Sequence, residues 1–498
     1  METNGGPSAK REELLIPLQK YKTTLYTHSD EVPEKLQPTD QNYKTALYTN
    51  TDNGDLVELT EDRPGQAARQ RDGLNSVQTM LLIAGYCPGF AATIMMVAII
   101  HTGWVGFLLF AVLTFMLAYA AILLRNCWNL VRATHFEDSN PYGAIAYEAF
   151  GNWARHMVNV LVDLVSFGAS TVMLLATSQL VLIVIGHSLV GTYCYWPIII
   201  GVIMSPAILV GMPKHFWQLG ALSIITTILA ILIMFIDASL YLHGNGEALH
   251  RLQPSMESWA FGKLIGGTIF LMGGHFVYPE VQRAMKEPGD FDRSALGYFL
   301  LIVLFLFPTL LITYMAYGDI MLPFDVTSSL LVILPRDGMV VIPGLLLLIG
   351  SGPVLLIVIN PLFQHLDELL DVQADFNWKR ILSRTCVILF LIFIAETVPD
   401  FTVLMTLVGG VLFPVLTFMA PAISYLRLRS LYMVDSFSER PKVHLFESIV
   451  SVTLIVATPV IIVYVLISTT LALSNHQTEY IKPCYVQWNT TISWWDNE

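Results

Sequence analysis

The residue whose type and surroundings most clearly suggest chemistry is a histidine within a long apolar stretch. His275 lies in the stretch Trp259–Met285, and about 20 apolar residues are enough to cross a lipid bilayer. It follows the pair Gly273 and Gly274, which loosens a helix where no water can bond the freed backbone groups. Such a break indicates a substrate site, and an imidazole can exchange a proton near neutral pH. The alternative is structural: the glycines admit a neighbouring helix, and His275 is a neutral contact between helices.

A second interruption falls in the first apolar stretch of the chain. The residues Gly85-Tyr86-Cys87-Pro88-Gly89 separate two apolar runs, and proline removes a backbone donor and clashes with the preceding turn. A single Pro-Gly kink is usually structural. Two interruptions at corresponding places of two five-helix halves instead predict an inverted-repeat transporter.

Two acidic residues, Asp163 and Glu280, also lie inside apolar stretches. An ionisable side chain in a membrane is costly and is therefore a candidate for function. We expect His275, Asp163 and Glu280 to handle a coupling proton, with a structural role for Asp163 as the open alternative.

The composition identifies the kind of protein that must position these residues. The chain has 498 residues, of which 54% are hydrophobic and 13% charged, whereas a soluble protein carries about 25% charged residues. The chain is therefore predicted to be an all-α polytopic membrane protein. Its net charge of -12 argues against a nucleic-acid partner. The sequence contains no phosphate-binding loop and no cysteine spacing of the zinc or redox kind, so no cofactor or metal is expected.

Hydropathy predicts eleven membrane helices after a polar tail. Residues 1–72 are predicted to be a disordered cytoplasmic tail, residues 73–472 the eleven-helix transporter domain, and residues 473–498 an extracytoplasmic tail. The predicted spans are 74–100, 103–124, 155–186, 195–213, 216–242, 259–284, 294–317, 338–366, 381–398, 401–427 and 444–472. The outer loops are too short for a folded catalytic domain, so we do not expect an enzyme.

The orientation follows from the basic residues. With the N-terminus in the cytoplasm, the inner loops hold fourteen lysines and arginines and the outer segments hold four, as the positive-inside rule requires. Asn489, in the sequon Asn489-Thr490-Thr491, would then be exposed for glycosylation. Cys194 and Cys484 would both face an oxidising compartment, and we expect them to form a disulfide. The other three cysteines are expected to be free.

The N-terminal tail contains a short repeat, YKTTLYT at residues 21–27 and YKTALYT at residues 43–49. It is interpreted either as a motif for a cytoplasmic partner or as drift in an unconstrained tail.

Three stretches carry a resemblance to a known family. The sequence GGHFVYPEVQRAMKEPGDF at 273–291 resembles the sixth-helix signature of the amino acid/auxin permease family. HTGWVG at 101–106 resembles the first outer turn of that family, and YGAIAYEAFG at 142–151 resembles its cytoplasmic segment before the third span. The resemblance covers about residues 74 to 472. It implies a secondary amino acid transporter, proton-coupled in many members, with a five-plus-five inverted repeat and one extra helix. In the first span, Tyr86 and Cys87 are bulkier than the family pattern, which leaves the usual substrate range open.

Two unwound helices would supply both kinds of partner that an amino acid zwitterion needs when it leaves water. The half-helix beginning near Pro88 would direct N–H groups at the carboxylate, and the carbonyls at residues 270–272 would accept hydrogen bonds from the ammonium. Phe90, Phe270 and Tyr278 would shape the side-chain pocket. The predicted substrate-binding residues are Gly85, Tyr86, Cys87, Pro88, Gly89, Phe90, Phe270, Met272, Gly273, Gly274 and Tyr278.

The function that we expect is proton-coupled transport of small neutral amino acids by alternating access. The membrane would be the plasma membrane or an endolysosomal or vesicular membrane. The alternative is an amino acid sensor that signals through the N-terminal tail. An ion channel is disfavoured, because the sequence has no pore-loop motif and no ring of charges.

Overall fold

The computed structural model describes most of the chain after residue 72. The described residues are 48–50, 56–58, 73–135, 140–186, 193–210, 216–244, 258–321, 329–372, 377–432, 441–474 and 482–486. The chain divides into two compact units, Met1–Arg71 and Asp72–Glu498. In the first unit, strands β1 (Tyr48–Asn50) and β2 (Leu56–Glu58) pair antiparallel, a pairing that the sequence did not predict. Asn489 and the first copy of the tail repeat lie outside the described residues.

The described part of the second unit is built from helices. In chain order they are α1 (Ser76–Ala84), α2 (Gly89–His135), α3 (Pro141–Phe150), α4 (Asn152–Ile185), α5 (Tyr195–Val210), α6 (Phe216–Gly244), α7 (Ser258–Met272), α8 (Tyr278–Arg283), α9 (Phe291–Met321), α10 (Leu330–Ile333), α11 (Gly338–Val358), α12 (Asn360–Leu369), α13 (Trp378–Thr397), α14 (Phe401–Leu407), α15 (Ala420–Tyr432) and α16 (Pro441–Ser474). Short 3-10 turns occupy Gly274–Val277 and Pro288–Asp290, and π-helical turns occupy Val408–Leu412 and Val415–Met419.

Eight helical stretches in the described part of the chain are long and apolar enough to cross a membrane. They are Gly89–Arg132, Asn152–Ile185, Phe216–Gly244, Trp259–Arg283, Pro288–Gly318, Gly338–Leu369, Phe401–Leu431 and Leu445–Ser474. The protein is therefore an integral, multi-pass membrane protein, as the composition predicts.

The predicted count of eleven spans stays a prediction, for reasons visible in three helices. Helix α2 holds the second half of predicted span 1 together with span 2, divided at Gly103, whose φ of 60° suits glycine. Helix α5 is apolar but shorter than the eight. Helix α13 carries Lys379, Arg380 and Arg384 in its first turns, which lowers its hydropathy.

The broken sixth span lies at the centre of the helical unit. In the helical stretch Trp259–Arg283, 94% of the apolar segment is buried within the protein. In Leu445–Ser474, at the periphery, the corresponding share is 28%. Helix α7 packs against α2, α14 and α16. A Cβ atom at Gly266 would lie 2.6 Å from the carbonyl oxygen of Thr406, so this glycine admits a neighbouring helix, as its structural interpretation requires. Irregular backbone is tolerated at membrane depth only when protein surrounds it, and this span meets that condition.

A disulfide joins two distant segments at the predicted outer face. Cys194 and Cys484 are bonded, with their Cα atoms 5.6 Å apart, and this confirms the predicted pair. Cys87, Cys127 and Cys386 are free, also as predicted. The bond connects the segment before α5 to the segment after α16, which are 290 residues apart in sequence.

A candidate substrate site at two broken helices

The first break is a tight turn between α1 and α2. Asn75 caps α1 through a reciprocal pair of hydrogen bonds with Gln78, which sets where the helix begins. At the other end, the N–H groups of Tyr86 and Cys87 donate to the carbonyls of Ile83 and Ala84. Pro88 cannot continue this ladder, because it has no N–H. Helix α2 then starts afresh at Gly89, so the sequence-predicted interruption is present.

The second break separates α7 from α8. Helix α7 ends at Met272, Gly273 has non-helical backbone angles, and a 3-10 turn from Gly274 leads into α8. A Cβ atom at position 273 would lie 2.5 Å from the ring of Phe413, so a larger residue would collide with the π-helical region of the tenth span. Glycine is needed here for close approach of a ring, and not only for backbone freedom.

The two breaks face each other across an aromatic contact. The Tyr86 side chain packs against Gly274, where a Cβ atom would lie 3.4 Å from it. Its ring centroid lies 6.0 Å from that of Phe276 in an edge-to-face arrangement. Tyr86 is the only residue in 85–90 with partial exposure, the others being buried. The structure therefore brings the two predicted halves of the site together, with Tyr86 between them.

Further aromatic rings surround the breaks. Phe270 and Phe276 lie 5.5 and 5.7 Å from Phe413, and Phe90 lies 5.0 Å from Phe401. Phe276, Phe401 and Phe413 were not among the sequence-predicted site residues. No local pattern identifies Phe401 and Phe413, because both are far from the two breaks in sequence. Phe276 could have been identified, because it directly follows His275.

The backbone groups at the breaks differ in how free they are. The first N–H groups of a helix have no partner inside it and form the positive end of its dipole. At the start of α2 the Ala91 N–H donates to the Pro88 carbonyl, so an anion would have to bind at the N–H groups of Gly89 or Phe90. On the other side, the Tyr298 hydroxyl donates to the Leu271 carbonyl at 3.4 Å. One of the three carbonyls predicted to face an ammonium is thus already engaged. The Met272 side chain points to Thr114 of α2, with a sulfur–oxygen distance of 3.7 Å.

Two predicted pocket residues lie against the supporting helices. The Tyr278 ring packs on His275 at 4.6 Å and on Phe291 at 5.6 Å. The Cys87 thiol is hydrogen-bonded to Tyr298 of α9. Their side chains therefore support the breaks from the side of α9.

His275 makes the contacts of a residue that joins helices. It is fully buried, and its Nε2 atom lies 2.9 Å from the Leu117 carbonyl oxygen of α2. Its ring also lies 6.3 Å from that of Phe299. These contacts fit the structural alternative for His275, and its coupling role stays a prediction.

Glu280 lines a cavity on the predicted cytoplasmic side, and Asp163 is paired with His365, which also lines it. Asp163 Oδ2 is 2.6 Å from His365 Nδ1 of α12, and Glu280 is hydrogen-bonded to the Gln364 side chain. The cavity is lined by Asn140, Pro141, Tyr142, Val162, Phe276, Glu280, Pro361, Gln364, His365 and Glu368. His365 was not singled out from the sequence, although it is an ionisable residue in the predicted span 338–366, which is the criterion that selected Asp163.

Comparison with known proteins gives the family of this fold. A family model described as transmembrane amino acid transporter protein matches residues 93–471. Amino acid transporter AVT1E of Arabidopsis thaliana is 24% identical over 396 residues, covering 75% of this chain and 69% of that protein. Auxin transporter-like protein 3 of Medicago truncatula is 28% identical over 188 residues, covering 37% of this chain and 39% of that protein.

Among solved structures, the crystal structure of MhsT in complex with L-phenylalanine shares the fold. Its TM-score is 0.56 at 12% identity, covering 80% of this chain and 99% of that chain. The two sequence relatives named above are transporters and not enzymes. The family match begins after the first break, so Tyr86 and Cys87 lie outside it. By the match over residues 93–471, this chain belongs to the transmembrane amino acid transporter family.

Proposed function

We propose that this protein is a secondary active, proton-coupled transporter of small neutral amino acids whose substrate lies between the two helix breaks. The observation that carries the proposal is the pairing of the breaks, with Tyr86 of the first packed on Gly274 of the second. The family match and the amino acid transporters among its relatives support the substrate class.

The backbone at the breaks suits a zwitterion. The N-terminus of α2 at Gly89 would hold the carboxylate, and the carbonyls of Phe270 and Met272 would accept hydrogen bonds from the ammonium. Tyr86, Phe276 and Phe413 would leave little room for a large side chain, because the Phe276 ring lies 6.0 Å from that of Tyr86 and 5.7 Å from that of Phe413. A small apolar side chain is the best match for this space.

Coupling to a proton is supported by ionisable residues within the membrane helices, since these are retained at a cost in free energy. Asp163 and Glu280 lie next to or at the cavity that Phe276 borders, whereas His275 bonds to Leu117. We therefore favour the first two residues as the coupling groups. The proposed location is the plasma membrane or an endolysosomal or vesicular membrane.

Counterflow in proteoliposomes tests the proposal. The intact protein is loaded with each unlabelled amino acid of a panel, and uptake of the labelled form is followed at two pH values. We expect exchange of small neutral amino acids, with a rate that depends on pH. A protein that binds these amino acids without moving label would instead be a sensor, which is the alternative function.

A further inference from the structure

Asp163 forms a close pair with His365 beside a cavity in the described part of the chain, and His365 has no role in the function proposed above. We propose that this pair, and not His275, is the cytoplasmic binding site of the coupling proton. The inference rests on the proposed function, because it assigns a residue to the coupling step of that transport cycle.

The short distance between His365 and Asp163 indicates that the two side chains share a hydrogen bond. A distance of 2.6 Å between Nδ1 of His365 and Oδ2 of Asp163 requires a hydrogen atom between them. Asp163 Oδ1 is buried and has no hydrogen-bond partner within the described residues. Oδ1 of Asp163 is thus an open position for an additional proton, and Nε2 of His365 is the other basic atom of the pair. Taking up that proton forms one N–H or O–H bond and breaks none within the protein.

The cavity gives the pair a route to water. His365 lines it together with Gln364 and Glu368, which are exposed. Glu280 lies in the same lining, and acidic groups in a cleft concentrate cations such as hydronium. His275 has no such route, because it is fully buried and does not line this cavity.

The same cavity reaches the substrate site. Phe276 borders it and also packs on Tyr86 at the break. Helix α8, which carries Glu280, begins two residues after Phe276. A change in the 3-10 turn on substrate binding would therefore change the surroundings of the pair, as proton coupling requires.

The titratable groups that line the cavity beside His365 are Tyr142, Glu280 and Glu368. The helices packed against α4 and α12, and α8 across the cavity, carry further charged and titratable residues along their lengths: Arg155 and His156 of α4, Tyr147 and Glu148 of α3, Tyr195 of α5, Tyr278 and Arg283 of α8, Asp367 of α12, and Lys379, Arg380, Arg384, Cys386 and Glu396 of α13. Asp367 is held by Arg380 and Arg384 at 2.9 and 3.0 Å. Among the interactions of Glu280 is a hydrogen bond from Gln364.

The competing interpretation is a tie between α4 and α12 with no role in coupling. A matched pair elsewhere provides the control: His135 Nε2 lies 2.6 Å from Glu148 Oε1, and His135 does not line the cavity.

The test uses intact protein in proteoliposomes, with the variants His365→Gln, Asp163→Asn and His135→Gln. Two rates are measured for each, uptake of labelled amino acid driven by an imposed pH gradient and counterflow without a gradient. Proton influx on substrate addition is followed with an internal pH dye.

We expect the ratio of gradient-driven uptake to counterflow to fall about tenfold or more in His365→Gln and Asp163→Asn. Substrate-dependent proton influx should be lost in both variants, while His135→Gln keeps the wild-type ratio. An unchanged ratio in His365→Gln, including equal loss of both rates, would overturn the inference in favour of a structural tie. Wild-type counterflow without proton influx would also overturn it and leave amino acid transport standing. Wild-type protein without counterflow would instead refute the proposed function.

Discussion

Tyr86 is the residue that lies between the two breaks. Its side chain packs on Gly274 and its ring meets Phe276 edge to face. Shortening this side chain should enlarge the proposed pocket. A difference of one methylene group changes the discrimination between two substrates by about 10-fold or more. We therefore predict that Tyr86→Ala shifts preference towards larger amino acids by about tenfold, measured by competition of a panel against labelled substrate.

The control for this variant is Phe115→Ala, because Phe115 is 60% exposed on α2 and far from the breaks in sequence. An unchanged order of competitors in Tyr86→Ala would count against a pocket at Tyr86.

Variants of His275 distinguish a structural role for this residue from a role in proton coupling. Removing its ring deletes a buried hydrogen bond to the Leu117 carbonyl, a loss of about 0.5–1.5 kcal/mol of stability. We predict that His275→Ala lowers the thermal unfolding midpoint, that His275→Gln recovers part of it, and that both keep the pH dependence of uptake. A stable His275→Gln protein with a flat pH profile would show that the ring handles the proton.

At the scale of elements, the break in the sixth span depends on close approach of the tenth. A Cβ atom at position 273 would lie 2.5 Å from Phe413, and overpacking of this kind costs about 1–3 kcal/mol. We predict that Gly273→Ala raises the substrate Kd about tenfold, measured by equilibrium binding to purified protein.

Gly289→Ala is the matched control, because a Cβ atom there meets nothing within 4 Å. Wild-type affinity in Gly273→Ala would mean that the break does not shape the site.

Local sequence chemistry was sufficient to predict both breaks. Pro88 and the pair Gly273 and Gly274 disturb helix geometry wherever they stand, so their effect can be read without a fold. The partners of the breaks were missed for the opposite reason. Phe401 and Phe413 belong to a later span, and their contacts arise from tertiary packing that no local periodicity encodes. The direction of the His275 side chain was undetermined for the same reason, since Leu117 lies 158 residues away.

At the scale of the molecule, the disulfide ties the segment before α5 to the segment after the last helix. Cys194 and Cys484 close a loop of 290 residues, and such bonds commonly contribute about 2–4 kcal/mol. We predict that Cys484→Ser lowers the unfolding midpoint, whereas Cys386→Ser, which removes an exposed free thiol, does not. Mass mapping of non-reduced peptides should show the bond in wild-type protein; two free thiols would contradict both the pairing and the outward position of the C-terminal tail. Glycosylation of Asn489 on that tail stays a prediction.

Accumulation of a labelled small neutral amino acid under an imposed pH gradient tests the central claim most directly. Proteoliposomes holding the intact protein are compared with protein-free liposomes, with and without a protonophore. Coupled transport predicts accumulation above the equilibrium level, collapse of that accumulation with the protonophore, and a marked reduction in Gly273→Ala. Label that enters no faster than into protein-free liposomes would contradict transport, and label that only equilibrates despite the gradient would contradict proton coupling.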